Sequence, residues 1–360
     1  MKKIAHILKS FEPGGVEKWL VDITKINKNG EKKVEFHFLL QSSNSGFFAS
    51  EIRSNGGKIH NIIYSKYNFI IYLIKLFIHL KKNKYDIIHS HVYHFSGFII
   101  FIAYLAGVQN RITHCHNEKK DKSRSLLKKL YIKVCENLIS KFSTEKIAVS
   151  QNSAKLFYKK PDDVIIMPCG ILFEEKKEHV QKKVKEEINL LSVASFTYQK
   201  NHDFMLELAN QLSIQNIKFI FIWIGSGEVS SSLNDKIKKY NLQDKIIILG
   251  KRNDVHDIMI NNSDFLIFPS HYEGLGLAAV ESQYYGLPTL VNESLPEELN
   301  VSSYIFRLPI NDENTSQWTN IIKKNIKPTV KEINEARKKI NASSLNAINN
   351  FNKLINIYTK

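Results

Sequence analysis

Short apolar runs alternate along the chain with longer segments in which apolar residues recur every three or four positions. Runs such as residues 3–8, 34–40 and 219–224 predict buried strands, and segments such as 126–139 predict helices. Strands that alternate with helices are typical of a parallel sheet covered on both faces. The predicted fold class is therefore α/β.

The pattern of a strand followed by a polar or glycine-bearing loop and a helix begins twice, at residue 3 and at residue 189. The chain has 360 residues, which exceeds the usual size of a single core. We predict a Rossmann-like domain over 1–168, a linker of mixed charge over 169–188 and a second Rossmann-like domain over 189–339. A ligand is expected in the cleft between the two domains.

Residues 264–291 form the stretch around which the second domain is predicted to be organised. Residues 264–269 have the pattern of a buried strand, 270–276 that of a glycine-bearing loop, and 277–285 that of a helix that stops before Pro288. Such a loop lies at the carboxyl end of a doubly wound sheet, where ligands bind. The helix start offers free backbone N–H groups to an anion.

Two carboxylates flank this helix start, Glu273 in the loop and Glu281 one turn inside the helix. At about 100° per residue, Glu281 lies on the same face as Val280, which predicts that its carboxylate is buried. Such a carboxylate needs hydrogen-bond donors, and the vicinal hydroxyls of a ribose would supply two. Gly274 and Gly276 would let a phosphate or sugar approach the backbone.

The spacing of Glu273 and Glu281 within YEGLGLAAVE resembles the E-x7-E signature of the retaining glycosyltransferases of family 4, which have the GT-B fold. The resemblance implies two Rossmann-like domains that face each other across a deep cleft, with a terminal helix at about 340–360 that returns to the first domain. It also implies that Glu273 contacts hydroxyls of the donor sugar as a catalytic residue. Glu281 would bind the ribose, and the predicted donor loop comprises Gly274, Leu275, Gly276 and Leu277.

Further donor contacts follow from the same resemblance. Gly14 and Gly15, followed by Glu17, resemble the family's G-G-x-E, and Gly225 belongs to a turn similar to its G-x-G. Lys200 matches a cation that grips the donor diphosphate. Ser195 stands where the family has Arg, and losing that contact would weaken binding by about 1.5–3 kcal/mol unless another group compensates.

Residues 86–91 and 111–117 resemble the bacterial polysaccharide branch of this family. In that branch a histidine after the second of these strands reaches the donor sugar or its phosphate, and His116 matches it, with His114 the alternative. In relatives the loop that here holds Arg252 and Asn253 packs on the nucleobase. Five histidines, His89, His91, His94, His114 and His116, follow two strands. They lack paired Asp, Glu or Cys residues at ligand spacing, so no metal site is predicted.

The net charge of +16 is unevenly distributed along the chain. Up to residue 165 there are roughly 28 basic and 13 acidic residues, and beyond it roughly 23 and 22. The segment 67–84 is apolar almost all round and ends in lysines. Two interpretations stay open for it, a core helix and a helix at an anionic membrane surface.

Three scattered cysteines favour a reducing compartment, and neither a signal peptide nor an apolar run of about 20 residues is present. The chain is expected to act in the cytoplasm, peripheral to the inner face of the cell membrane.

The resemblance implies a retaining transferase that moves a hexose or N-acetylhexosamine from a nucleotide-diphosphate sugar, with UDP the expected carrier. A lipid-linked or growing saccharide of a bacterial surface polysaccharide would be the acceptor, and no metal or other cofactor is expected. The oligomeric state is open. Two alternatives are another GT-B enzyme, such as a sugar-nucleotide epimerase or a phosphorylase, and a basic nucleic-acid-binding protein. No recognisable nucleic-acid motif supports the latter, so no nucleic-acid partner is expected.

Overall fold

The computed structural model describes residues 1–30, 33–116, 125–173, 186–311 and 315–359. The chain divides into two compact units, Met1–Leu172 with Ser343–Lys360, and Phe173–Ala342. The strands are β1 (Lys2–Leu8), β2 (Val34–Leu40), β3 (Lys58–Asn61), β4 (Ile87–Ser90), β5 (Asn110–Cys115), β6 (Glu145–Ala148), β7 (Ile165–Ile166), β8 (Ile188–Val193), β9 (Phe219–Ile224), β10 (Ile246–Gly250), β11 (Phe265–Phe268), β12 (Thr289–Asn292) and β13 (Ile305–Leu308).

The helices connect the strands in the alternation that the sequence predicts. They are α1 (Gly15–Asn29), α2 (Ala49–Ser54), α3 (Phe69–Asn83), α4 (Ser96–Leu105), α5 (Leu126–Phe142), α6 (Gln151–Phe157), α7 (His202–Ile214), α8 (Ser231–Lys239), α9 (Val255–Asn261), α10 (Leu277–Tyr284), α11 (Thr315–Lys323), α12 (Val330–Ala342) and α13 (Ala347–Thr359). None of the described helices combines the length and apolar content needed to cross a bilayer.

The first unit is built on a parallel sheet in the order β3-β2-β1-β4-β5-β6-β7. The chain moves outward from β1 to β3 and then resumes at β4 on the other side of β1. Because such crossovers are right-handed, α1 and α2 lie on one face of the sheet and α3, α4 and α5 on the other. On the first face α13 packs against α1, where the indole N–H of Trp19 donates to Asn350 at 2.7 Å.

The second unit has a parallel sheet in the order β10-β9-β8-β11-β12-β13. Its inner strands β8, β9, β11 and β12 are apolar and largely buried, as strands between two helical layers must be, whereas the edge strands β10 and β13 are more exposed. Phe221, Trp223 and Phe265 form the centre of the core together with Trp318 of α11. The strand order reverses direction between β8 and β11, which creates a switch point at the carboxyl edge of this sheet.

Two features of the chain path differ from the sequence prediction. Residues 169–172, placed in the linker, belong to the first unit, because the backbone N–H of Ile171 donates to Leu345 at 2.7 Å and Gly170 packs closely on Asn350. Residues 174–185 of the predicted linker, and Asn117, lie outside the described residues. The terminal helix predicted at about 340–360 is α13, which begins only at Ala347, and α12 precedes it in the second unit because the chain passes between units at residue 343.

Helix α3 is apolar on nearly all sides, as the sequence indicates, but only one of its sides is buried. It buries Tyr72, Leu76 and Leu80 against the sheet. Its opposite face leaves 69% of Ile70 and 58% of Ile78 exposed to solvent. A helix in an outer layer can bury only the stripe that faces the sheet, so the remaining apolar residues of α3 stay at the surface.

Candidate functional site

The loops after β8, β9 and β11 bring most of the predicted donor residues of the second unit to one edge of its sheet. Ser195 and Lys200 follow β8, Gly225 follows β9 and Glu273 follows β11. Since β8 and β11 are the two neighbouring strands at the switch point, their loops diverge around a common opening. The structure therefore groups residues that are up to about 80 positions apart in the sequence.

The central contact of this edge is an ion pair between Lys200 and Glu273. The ammonium nitrogen of Lys200 lies 2.5 Å from a carboxylate oxygen of Glu273, and their side chains are 18% and 8% exposed. Gln199 donates to the backbone oxygen of Tyr272 at 2.8 Å, which ties the two loops together. The ammonium group of Lys200 also lies 5.3 Å from the centre of the Phe268 ring. Both charged groups are thus held in fixed positions at the edge.

Asn201 anchors the loop that carries Lys200. It adopts a left-handed conformation with φ of 56°, and its side-chain oxygen accepts from the backbone N–H of Phe204 to cap α7. Its amide nitrogen donates to the backbone oxygen of Pro269 at 3.3 Å. This residue connects the loop after β8 to the end of β11, and it explains how a long lysine is kept beside Glu273.

Gly225 is required by the close approach of two strand ends. A Cβ atom at this position would lie 1.8 Å from the backbone oxygen of Ala194. The neighbouring loop offers Gly276, whose φ of 98° places it at the amino-terminal cap of α10. Gly274 and Leu275 are buried beside it, and Leu277 begins the helix. The backbone N–H of Ala279 donates to Gly276 at 3.0 Å, and the N–H groups of Leu277 and Ala278 precede the first acceptor within the helix, so they can receive an anion.

Glu281 is only partly buried, which corrects the prediction of a buried carboxylate. Its side chain is 18% exposed, and a ring nitrogen of His256 in α9 lies 3.5 Å from its carboxylate. The fully buried positions of α10 are Ala279, Val280 and Ser282 among others. Glu281 points away from these buried positions, between the partly buried Leu277 and Ala278, where a ligand hydroxyl can reach it.

Arg252 and Asn253, the predicted nucleobase residues, follow the edge strand β10. Arg252 forms two hydrogen bonds to Asp254, at 2.8 and 2.5 Å, and both side chains are exposed. Asn253 is exposed as well. The strand end itself is adjacent to the central loops, because the backbone N–H of Gly225 donates to Gly250 at 3.0 Å.

In the first unit, the glycine turn after β1 precedes α1 as predicted. Gly14 and Gly15 are exposed, and α1 begins at Gly15. Glu17 lies in the first turn of this helix, and burial raises the pKa of its carboxyl to about 7. A carboxyl group with this pKa is partly protonated near neutral pH, so it can donate as well as accept a hydrogen bond.

Four of the five predicted histidines form a cluster at the carboxyl edge of the first sheet, together with His6. His91 links His6 and His116, with ring nitrogens 2.9 Å from His6 and 2.8 Å from His116. His89 and His114 stack beside them with ring centres 5.3 Å apart. Local sequence patterns do not show that these histidines meet, and they do so because β1, β4 and β5 are adjacent in the sheet. His94 lies elsewhere, against Tyr93 and Phe157.

The histidine cluster is electrically neutral near pH 7. Burial lowers the pKa of both His6 and His116 to about 3. Burial also lowers the pKa of His91 well below its ordinary value. His116 is partly exposed, and its second ring nitrogen lies 3.5 Å from the thiol of Cys169. Because its Nε2 is engaged with His91, the neutral imidazole of His116 could bond a hydroxyl group only through Nδ1, in place of the Cys169 thiol.

The geometry of the cluster would also admit a transition metal ion. Among the described residues, the nitrogen atoms of His6, His89 and His91 lie within 4.8 Å of one another, and so do those of His91, His114 and His116. Imidazole nitrogens are ligands that zinc and related metals prefer. The two short contacts of His91 already occupy its ring nitrogens with neighbouring imidazoles, and a metal ion would have to displace them.

Sequence reasoning missed His256, His6, Asn201 and Gln199. The first two are single histidines in ordinary helical or strand patterns, so no local signal distinguishes them. Asn201 carried a usable signal, because Asn is favoured in the left-handed conformation and at helix starts. Gln199 precedes the predicted Lys200 and could have been considered with it.

Comparison with known proteins shows which families the chain resembles. The family model described as Glycosyltransferase Family 4 matches residues 13–174, and that of Glycosyl transferases group 1 matches residues 173–304. The chain is 28% identical over 360 residues to the Staphylococcus aureus capsular polysaccharide biosynthesis glycosyltransferase CapH, covering 96% of this chain and 94% of CapH.

Two further proteins are similar to the chain. It is 30% identical to the Escherichia coli UDP-Gal:alpha-D-GlcNAc-diphosphoundecaprenol alpha-1,3-galactosyltransferase, over 61% of each chain. The crystal structure of Anabaena HepE in complex with UDP and glucose superposes with a TM-score of 0.79 and 17% identity, covering 100% of both chains. At 17% identity this structural match is evidence for the fold alone, and it confirms the predicted GT-B fold class.

Proposed function

Because the chain is a glycosyltransferase of family 4 with the GT-B fold, we propose that it transfers a hexose or N-acetylhexosamine from a UDP-sugar with retention of the anomeric configuration. The proposed acceptor is a lipid-linked saccharide in the assembly of a bacterial surface polysaccharide. Support for the donor and acceptor comes from the names of CapH and of the E. coli galactosyltransferase. Membership of this family argues against the nucleic-acid-binding protein that the basic composition also allowed.

The observation that carries the proposal is the ion pair of Lys200 and Glu273 beside the start of α10. A diphosphate needs a cation and backbone N–H donors, and Lys200 and the first turn of α10 offer both at one edge. We assign the donor diphosphate to this edge. Ser195 lacks the charge of the family's Arg, so Lys200 would be the main side-chain cation there.

Glu273 and Glu281 are assigned to the two sugars of the donor. Glu273 lies beside Lys200, and its carboxylate oxygens can accept hydrogen bonds from hydroxyls of the transferred sugar. Glu281 is partly exposed and can accept from the ribose hydroxyls. For His116, the neutral imidazole would bond a sugar hydroxyl through Nδ1, with the hydroxyl replacing the long contact to the Cys169 thiol. The loop of Arg252 and Asn253 is assigned to the nucleobase.

The proposed chemistry uses no protein nucleophile. The bond between the anomeric carbon and the diphosphate oxygen breaks, and the acceptor oxygen bonds to the anomeric carbon on the same face. The acceptor's proton passes to the departing phosphate oxygen, so charge and atoms balance. Lys200 and the backbone N–H groups of α10 stabilise the negative charge that develops on the diphosphate. We propose that this step needs no metal ion.

The experiment begins with thermal-shift screening of UDP-, GDP- and ADP-sugars, followed by turnover assays with and without EDTA. NMR analysis of the product determines whether the anomeric configuration is retained. Glu281→Ala is expected to raise the Kd for UDP, and Glu273→Ala to lower kcat. Glu297→Ala, which removes an exposed carboxylate of the same unit, serves as the control. Wild-type activity in all three variants would refute the assignment.

A further inference from the structure

The outward face of α3 is a continuous apolar stripe at the surface of the first unit. Ile70, Ile71, Ile74 and Ile78 are 69%, 55%, 53% and 58% exposed. Their spacing of one, three and four residues places them on one side of the helix, opposite the buried Tyr72. Four large aliphatic residues on one exposed helix face are unusual for a surface that meets only water.

Helix α5 presents a second stripe of the same kind. In its first three turns Leu126 and Leu127 are each 80% exposed, Leu130 is 60% exposed and Val134 is 38% exposed. The opposite side of the helix buries Cys135 and Ile139. The amino-terminal half of α5 therefore exposes leucines that its packing against the unit does not use.

The two stripes belong to one surface, because α4 lies between the helices and contacts both. The ring of Phe98 in α4 lies 5.0 Å from that of Phe69 in α3 and 6.1 Å from that of Tyr131 in α5. These contacts join the amino-terminal ends of the two outer helices. We call the exposed apolar residues of both helices the α3–α5 surface, comprising Ile70, Ile71, Ile74, Ile78, Leu126, Leu127, Leu130 and Val134.

Cations border the α3–α5 surface. Lys75 is exposed on the flank of the α3 stripe, and Lys81 and Lys82 are exposed at its end. Residues 62–85 include no acidic residue. In α5, Lys129 and Lys133 are exposed on the flank of the leucines. Aliphatic residues bordered by lysines match the interface of an anionic lipid bilayer, in which side chains enter the acyl boundary and ammonium groups meet headgroup phosphates.

We propose that the α3–α5 surface docks onto the surface of an anionic lipid bilayer. A second copy of the chain fits less well, because a symmetric contact would bring the same lysines together. Neither helix has to cross the bilayer. An apolar stripe about two turns long that lies in the interface suffices when electrostatic attraction adds to it.

The position of the surface suits the acceptor assigned above, and this step rests on the proposed function. A helix that follows a strand of a parallel sheet starts at the sheet's carboxyl edge, so the first turns of α3 and α5 lie at the edge where His116 follows β5. Docking by these turns would hold that edge near the headgroups. A lipid-linked saccharide could then keep its lipid in the bilayer while its sugars reach the edge.

The test uses the full chain and sucrose-loaded vesicles of phosphatidylcholine with or without phosphatidylglycerol. We expect cosedimentation with the vesicles that contain phosphatidylglycerol, and release by added salt. The double variants Ile70→Glu/Ile74→Glu and Leu126→Glu/Leu127→Glu should each lower the partition coefficient at least about tenfold. The matched control is Ile348→Glu, because Ile348 is 51% exposed on α13, at the opposite face of the sheet.

Several outcomes would overturn the proposal. They are no binding of the wild type to anionic vesicles, equal loss in the Ile348→Glu control, and wild-type binding by both double variants. Self-association of the wild type that the double variants abolish, without vesicle binding, would identify a second copy as the occupant instead. Thermal-shift measurements with UDP and nucleotide sugars separate the two proposals. If wild-type protein responds to UDP but does not bind vesicles, only the docking proposal is refuted. If it binds vesicles but responds to no nucleotide sugar, only the proposed function is refuted.

Discussion

Two ion pairs of similar chemistry lie at opposite ends of β11, and they allow the role of Lys200 to be measured. Lys200 lies 2.5 Å from Glu273 after the strand, and Lys327 lies 2.6 Å from Asp264 before it. The four side chains are between 8% and 18% exposed. Each ammonium group also lies near a phenylalanine ring of the strand. The pairs differ mainly in which edge of the sheet they occupy.

Replacing Lys200 with Met keeps the length of the side chain and removes its charge. Breaking a fully buried pair costs about 3–5 kcal/mol, because the remaining charge is left without a partner. Water reaches the partly exposed Lys200, so we expect the free energy of unfolding to fall by about 2–3 kcal/mol. Lys327→Met should cost a similar amount, because its pair is nearly as short and is buried to a similar extent.

The two variants should differ in their affinity for UDP. If Lys200 donates to the diphosphate, its loss removes one charge-assisted contact worth about 1.5–3 kcal/mol, which raises the Kd about 10- to 150-fold. Lys327 lies at the other edge, so Lys327→Met should leave the Kd unchanged. Isothermal titration of UDP and urea unfolding would supply both quantities for each variant.

A double variant distinguishes direct contact from charge neutralisation. In Lys200→Met/Glu273→Gln the carboxylate that Lys200 neutralises is absent, so stability should recover in part. UDP affinity should remain low, since the diphosphate still lacks its cation. Wild-type affinity in this double variant, or an equal loss of affinity in Lys327→Met, would refute the assignment of Lys200 to the diphosphate.

Two other predictions follow from the geometry. Burial raises the pKa of the Glu17 carboxyl from 4.5 to about 7 in the folded state. Between these two values the unfolded state loses this proton while the folded state keeps it, so the free energy of unfolding falls as pH rises from 4.5 to 7. Glu17→Gln should remove this decline, as urea unfolding at several pH values would detect, and an unchanged pH profile would contradict it. Gly225→Ala should destabilise the chain by about 1–3 kcal/mol or more, because its Cβ would meet the backbone oxygen of Ala194 at 1.8 Å. In Gly250→Ala the new Cβ atom would meet open space, and the cost comes from the left-handed backbone with its φ of 65°. Comparing the free energies of unfolding of the two variants in urea therefore distinguishes the steric clash at residue 225 from the backbone strain at residue 250.

Local patterns in the sequence were sufficient for the strands and for most helices. Apolar runs identify β1, β2 and β9, because a strand between two helical layers must be apolar on both sides. The exposed stripe on α3 could not be predicted in this way. Periodicity detects a contrast between faces, and α3 is apolar on both its buried and its exposed face, so the sequence left two interpretations open.

Contacts between distant segments depend on strand order, which local patterns do not contain. The histidine cluster forms because β4 returns to pair with β1, which places His6 beside His91 although 85 residues separate them. The pairing of Lys200 with Glu273 spans 73 residues and depends in the same way on β11 returning to β8. The resemblance to a family identified both residues of the second pair, but it did not indicate that they bind one another.

The position of Glu281 shows how the direction of a side chain around a helix axis decides its burial near a binding edge. A wheel gives the direction of a side chain around the helix axis, and at about 100° per residue Glu281 points between Leu277 and Ala278, which are only partly buried. The buried residues of α10, Val280 among them, lie on the other side of the helix. Val280 and Glu281 are adjacent in the sequence but about 100° apart around the axis, so 18% of the Glu281 side chain remains exposed while Val280 is buried. A carboxylate in that position can stay hydrated without a ligand and can still contact one, which is what reversible binding of a nucleotide requires.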